Sequence, residues 1–354
     1  MAVIDADTHV DESESTWAKL EGTPYAKYIP LTVNLSPEEA KRAGFGPTTG
    51  RKWLVENWLQ SRAIRDEVNH PLRVRRELED VPGRITQMDQ MKIDVQIIFP
   101  TFFIRYNTSN AEAEWALTTT YNRWLAEKCA PTNGRLRWTA VLPLLQPDKA
   151  VEELRWAKEH GACGIFKRGY DLDRKVSDPH FFPVYEEANA LGLPLCIHTG
   201  HPLPGHEWDR GFPIMSAFSD VVNFKLAQKF PKLKFGFIEA GASWIPYVMS
   251  QLGARKRVTL RGTESRLLDI FELAPELFRE NRAFVTIDEI DDIESILKFG
   301  TENNLMIGTD YSHTDISANL SALSGVRGWV AQGKIKDEQA RKILETNPQA
   351  FYGL

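Results

Sequence analysis

Eight short runs of apolar and β-branched residues recur along the chain, with stretches of helical spacing between them. The runs are Val3–His9, Asp94–Pro100, Leu136–Leu142, Cys163–Lys167, Leu193–His198, Leu233–Glu239, Ala283–Ile287 and Leu305–Asp310. Most are continuously apolar rather than alternating, which suits strands covered on both faces, as in parallel sheets. The spacing predicts helices over Ala111–Ala130, Asp148–His160, Phe182–Leu191, Ser216–Phe230, Ser243–Leu252, Ile290–Phe299 and Ser317–Gln332, most of them stopped by Gly or Pro. Asp148 is the expected N-cap of the second. Strand–helix alternation repeated eight times leads to the α/β class and a (β/α)8 TIM barrel, one domain over residues 1–354. The rival, a doubly wound open sheet, usually carries a Gly-rich turn after its first strand, and here that strand runs into DADTHVDESEST.

The first gap, residues 10–93, is far longer than one helix needs. It holds Trp17, Trp53, Trp58, Tyr25 and Tyr28 together with Pro24, Pro30, Pro37 and Pro47, too aromatic for a flexible linker. It is read as an insertion after strand one, either a lid over the barrel mouth or a surface for the barrel side or a second subunit.

Composition narrows the partners. With 43 Lys+Arg against 48 Asp+Glu, the net charge of −5 gives no electrostatic reason to expect nucleic acid or an anionic membrane. No run approaches the roughly 20 apolar residues of a membrane span. The opening MAVIDADTHV has acidic residues where a signal peptide needs a basic segment, so a cytoplasmic location is expected. Three scattered cysteines, Cys129, Cys163 and Cys196, do not make a disulfide framework.

In a barrel, reactive groups stand at the C-terminal ends of strands. Strand one ends in Asp5, Asp7 and His9, strand four in Lys167 and Arg168, strand five in His198, strand six in Glu239, and strand eight in Asp310 within GTDYSH. Ionisable groups in such places are expensive to desolvate unless they are paired or bound to a metal. Asp7 and His9 are two residues apart on a strand and so share a face. His198 and Asp310 can join them from across the barrel. Two imidazoles and two carboxylates suit Zn²⁺ first, with Mn²⁺ or Fe²⁺ as alternatives. Arg168, by its fork geometry, is a candidate anchor for a substrate carboxylate, with a structural ion pair as its other reading. Lys167 reads as a salt-bridge residue, and Asp5 as a group satisfied against the barrel wall. His201 and His206 lie in the Gly/Pro-rich loop HTGHPLPGHEWD, where either could touch substrate or simply be solvated.

The motifs VIDADTHV, PLCIHTGHP, KFGFIEAGASWIPYVM, GTDYSHTD and the closing KILETNPQAFYGL together resemble the amidohydrolase superfamily. The resemblance is to its amidohydrolase-2 branch, which contains aminocarboxymuconate-semialdehyde decarboxylase, γ-resorcylate decarboxylase and pyrone lactonases. It implies a TIM barrel holding one divalent ion on Asp7, His9, His198 and Asp310, with a homodimer as the assembly. It also implies Asp310 as proton shuttle. Two positions depart from relatives: the first pair is D-x-H where many hydrolases have H-x-H, and strand six offers Glu239 where several relatives have histidine.

The first expectation is therefore a metal-dependent decarboxylase acting on an aromatic or ring-derived carboxylic acid. Asp310 or Glu239 would protonate the ring carbon, Arg168 or Arg105 would hold the anion, and His201 and His313 would be further substrate contacts. The alternative is a hydrolase of a lactone, amide or C–C bond, with metal-bound water and Glu239 as general base. A third reading, from a different class, is a metal-free barrel that has lost catalysis.

Overall fold

A computed structural model describes residues 2–43, 51–62, 71–171, 173–200, 211–259, 270–313 and 318–354. Eight parallel strands form one sheet in sequence order: Ile4–Val10, Val95–Pro100, Leu136–Val141, Ala162–Arg168, Leu195–His198, Phe235–Ile238, Ala283–Ile287 and Leu305–Ile307. Each coincides with one of the eight apolar runs. The sheet curls back on itself where Thr8 bridges Tyr311, with the Asp310 N–H donating to the Asp7 carbonyl at 3.0 Å and the His9 N–H to the Tyr311 carbonyl at 2.8 Å. Glycine makes this seam possible: a Cβ on Gly308 would lie 2.3 Å from that of Asp7.

The outer layer follows the predicted helices with shifted ends. Ala111–Cys129 is capped by Asn110, whose side chain accepts the N–H groups of Glu112 and Ala113 at 3.0 and 3.4 Å, a cap worth about 1 kcal/mol. Asp148 is not an N-cap: the helix Pro147–Glu159 starts from Gln146, with Pro147 in its favoured first position and Asp148 in the first turn. The predicted Ser216–Phe230 breaks into Gly211–Asn223 and Leu226–Lys229, because Lys225 takes a left-handed conformation between them. A helix not anticipated, Ile270–Glu280, contains Pro275. At the foot of the barrel the last helix, Asn347–Tyr352, packs Phe351 where Gly236 leaves room, and the Tyr352 hydroxyl donates to the Ala6 carbonyl at 2.7 Å. Among the described residues, no helix is long and apolar enough to cross a membrane.

Within residues 10–93, Leu31–Asn34, Arg51–Val55 and Trp58–Ser61 make a small antiparallel sheet, while Val81–Met91 is the barrel's own first helix. The small sheet packs on the loop after strand two. Trp53 meets Phe102 edge-on at 6.0 Å, Trp58 meets Tyr106 at 6.5 Å, and Glu56 accepts hydrogen bonds from Thr108 and Asn110.

Glu12, just beyond strand one, is buried and accepts the N–H groups of Thr101 and Phe102 at 3.1 and 2.8 Å. Burial outweighs those donors and raises its carboxyl to about 8 from an unfolded value of 4.5. The unfolded chain thus loses this proton first, and stability is expected to fall as pH rises from about 4.5 to about 8. Glu12→Gln should flatten that part of the curve; melting temperatures measured from pH 5 to 9 on both proteins check it.

Candidate metal and catalytic centre

Strands one, five, six and eight deliver five ionisable side chains to one point at the C-terminal mouth. The Nε2 atoms of His9 and His198 face each other at 3.2 Å. Around His9 Nε2 stand Glu239 Oε2 at 3.3 Å, Asp310 Oδ1 at 3.4 Å and Asp7 Oδ1 at 3.5 Å. Around His198 Nε2 stand Glu239 Oε2 at 2.9 Å and Asp7 Oδ1 at 3.7 Å. All five residues are buried.

The ring orientations carry chemical information. His9 Nδ1 lies 3.0 Å from the Pro100 carbonyl, and His198 Nδ1 lies 2.7 Å from the Thr199 carbonyl. A carbonyl only accepts, so each neutral imidazole carries its proton on Nδ1 and turns the Nε2 lone pair toward the other. Two lone pairs and three carboxylate oxygens then converge, none of the five carrying a hydrogen to donate to the others, an arrangement that favours a cation or extra protons. Burial pulls both imidazoles toward neutrality, but the facing carboxylates outweigh it and raise each to about 10. Burial likewise raises Glu239, and His198 outweighs it to hold the carboxyl well below the usual range. A divalent ion held here would take the place of those protons. Ligands about 2.0–2.2 Å from an ion are themselves about 3.0–3.5 Å apart, which the observed spacings match. Two overlapping ligand groups result: Asp7, His9, His198 and Glu239, and His9, Glu239, Asp310 and His313.

The backbone is bent to serve this point. Glu239 and Asp310 both take left-handed conformations, with φ of 59° and 49°. Such strain in non-glycine residues gathers at functional sites and is held by its surroundings. Here the Glu239 N–H donates to Thr286 Oγ1 at 2.8 Å and the Asp310 N–H to the Asp7 carbonyl. Below, buried Arg84 donates to Gln96 Oε1 at 2.9 Å and to the His9 carbonyl at 3.0 Å, and lies over the Tyr311 ring at 4.2 Å. Gln96 donates onward to Asp5, which also accepts the Thr309 N–H and hydroxyl at 2.8 and 2.7 Å. Asp5 is thus satisfied against neighbouring strands.

Asp7, His9, His198 and Asp310 are brought together. Glu239, expected only to move protons, stands at ligand distance from the same point. His313 Nδ1 lies 2.7 Å from Asp310 Oδ1, its Nε2 lies 3.0 Å from Thr101 Oγ1, and its ring stacks on His9 at 3.9 Å. Arg168 spends its donors internally: Nε on Asp171 at 2.7 Å, and one terminal nitrogen on the carbonyls of Phe103 and Arg105 at 2.9 and 3.2 Å. Lys167 is salt-bridged to the same Asp171. Arg105 is half-buried in the loop after strand two. His201 and His206 lie outside the described residues. The Asp171 pairing and the Thr101–His313 contact left no mark in the sequence, because neither arises in a motif.

The amidohydrolase family profile matches residues 4–354. The chain belongs to the amidohydrolase family. It is an amidohydrolase-related enzyme of the carboxy-lyase or hydrolase kind. This amidohydrolase is 33% identical over 260 residues to γ-resorcylate decarboxylase of Rhizobium sp., covering 66% of the chain and 75% of that protein. It is 25% identical over 261 residues to the protein of that name from Polaromonas sp., again covering 66% and 75%. An amidohydrolase of Mycobacterium avium subsp. paratuberculosis shares its fold with a TM-score of 0.76 at 17% identity, over 100% of this chain and 98% of the other.

Proposed function

We propose that this amidohydrolase removes CO₂ from an aromatic or ring-derived carboxylic acid, using one divalent ion held by Asp7, His9, His198 and Asp310 with Glu239 as a fifth donor. Zn²⁺ fits the imidazole–carboxylate set first, with Mn²⁺ or Fe²⁺ as alternatives. A cytoplasmic homodimer completes the reading. When bound, the ion supplies a Lewis-acidic anchor for the substrate's carboxylate and an adjacent oxygen.

The observation that carries the reading is the Asp310–His313 pair at 2.7 Å, set beside the lone pairs of the centre. A carboxyl and an imidazole at that distance share a proton, and Thr101 extends the path from His313. Asp310 delivers this proton to the ring carbon that bears the carboxylate. The C–C bond then breaks, its electrons restore the ring, CO₂ leaves, and His313 returns a proton to Asp310. Arg105 is assigned the substrate anion, since Arg168 braces the loop after strand two. Glu239 points its Oε2 at both Nε2 atoms, which suits a ligand better than the general base a hydrolase needs. The decarboxylase names of the relatives support the same class of substrate.

Product analysis in ¹⁸O-labelled water tests this, with 2,6-dihydroxybenzoate and related ring acids as trial substrates. The expected result is CO₂ in step with substrate loss, no label in the organic product, loss of activity on chelation and recovery with Zn²⁺ or Mn²⁺. Label in the product without CO₂ would establish the hydrolase instead. Full activity in chelated protein would remove the ion from the scheme.

A further inference from the structure

Beside the centre lies a second polar cleft that the proposed reaction leaves unused. It opens between the loop after strand two and the ends of strands three and four. Its walls include Tyr106, Asn107, Glu114, Val141, Phe166 and Arg168. Arg168 is the in-register neighbour of His198 across strands four and five, one strand spacing of about 4.8 Å away. The Phe166 ring lies 5.6 Å from the His198 ring. The cleft therefore adjoins the centre with one shared wall.

Three buried side-chain atoms lining the cleft have no hydrogen-bond partner: Tyr106 Oη, Asn107 Nδ2 and Asn107 Oδ1. Asn107 is only 6% exposed. A buried polar atom left without a partner is costly, so a loop that keeps three such atoms in one place is preorganised for something that completes them. The insertion holds them there, through Glu56 on Thr108 and Asn110 and through Trp58 on Tyr106.

The chemistry of the missing partner follows from what is already spent. Lys167 and Arg168 are both ion-paired to the Asp171 carboxylate, and Arg168 also donates to the carbonyls of Phe103 and Arg105. Glu114, which accepts the Leu145 N–H at 2.7 Å, would repel an added anion whenever it is ionised. What remains is one amide with both a donor and an acceptor to give, and one phenol. An anion would leave Asn107 Oδ1 unsatisfied, and a cation would leave Nδ2 so.

We propose that this cleft is a recognition subsite for a neutral donor–acceptor group, a hydroxyl or carboxamide, carried by the substrate away from its reacting carboxylate and read by Asn107 and Tyr106. The inference rests on the reading that the centre binds a ring acid. It narrows the substrates to acids bearing a second, uncharged polar group.

Binding, measured by calorimetry on the metal-loaded enzyme, separates the possibilities. The probes are benzoate, 3- and 4-carbamoylbenzoate, 3-hydroxybenzoate and isophthalate. At least one neutral disubstituted probe is expected to bind about 10- to 100-fold more tightly than benzoate. Asn107→Leu should erase that preference while leaving benzoate within about 2-fold of wild type, and Tyr106→Phe should erase part of it. Asn107→Ser, a smaller polar change, gives the same comparison if the leucine variant misfolds. The subsite is overturned if all probes bind alike, if isophthalate is preferred, if Asn107→Leu or Asn107→Ser weakens benzoate equally, or if a crystal structure with the tightest probe leaves only water on Asn107. Discrimination among the probes with no CO₂ released from 2,6-dihydroxybenzoate and related ring acids would keep the subsite and sink the decarboxylase; CO₂ release from those acids without discrimination would do the reverse.

Discussion

His198→Ala is expected to abolish turnover, by about 10⁴-fold or more, and to strip the ion from the purified protein. His198 Nε2 faces His9 Nε2 at 3.2 Å and Glu239 Oε2 at 2.9 Å, so its removal opens one side of the centre. The remaining carboxylates would then crowd with one imidazole fewer to balance them. Metal content by plasma emission and rate with a ring acid are the two readings. A variant that kept a full equivalent of ion and lost only rate would place the ion elsewhere.

Glu239→Gln separates two roles. The sequence alone made this residue a proton carrier, in which case the amide should stop turnover and leave ion content near wild type. The structure puts its Oε2 within 3.3 Å of both Nε2 atoms. The expected outcome is therefore loss of ion affinity by about 100-fold or more together with loss of turnover, since a neutral amide is a far weaker ligand than a carboxylate. Titrating Zn²⁺ or Mn²⁺ into the metal-free variant, with rate followed at each step, decides it. Recovery of activity at high ion concentration would confirm a ligand; saturation with ion and no recovery would return Glu239 to proton transfer.

What could be read without coordinates was the part that repeats. Continuous apolar runs report strands buried on both faces, and all eight were found in place. Asp7 and His9 could be paired because alternation on a strand is rigid. Helix ends were less legible: Pro147 moved a cap from Asp148 to Gln146, and Pro275 hid a helix that tertiary packing nonetheless sustains. The place of Glu239 among the candidate donors was hidden for a different reason. It depends on a left-handed turn at its own α-carbon, and nothing in FIEAG other than the glycine suggests one. Arg168 could be read as an anion anchor or as a structural ion pair, because its partner, Asp171, sits in a hairpin too short to register as structure, Tyr170–Asp171 against Arg174–Lys175.

The seam between the first and last strands has a bearing on biosynthesis. Asp5 and Thr309, which meet there, are 304 positions apart. A ribosome adding about 5–20 residues per second leaves the opening strand without that neighbour for on the order of 15–60 s. Through that interval Asp7 and His9 are present but Asp310 is not, so the candidate donor set stays one carboxylate short until the eighth strand has been made. Cofactor uptake in vivo would then report that the eighth strand has been made and the sheet has closed into a ring.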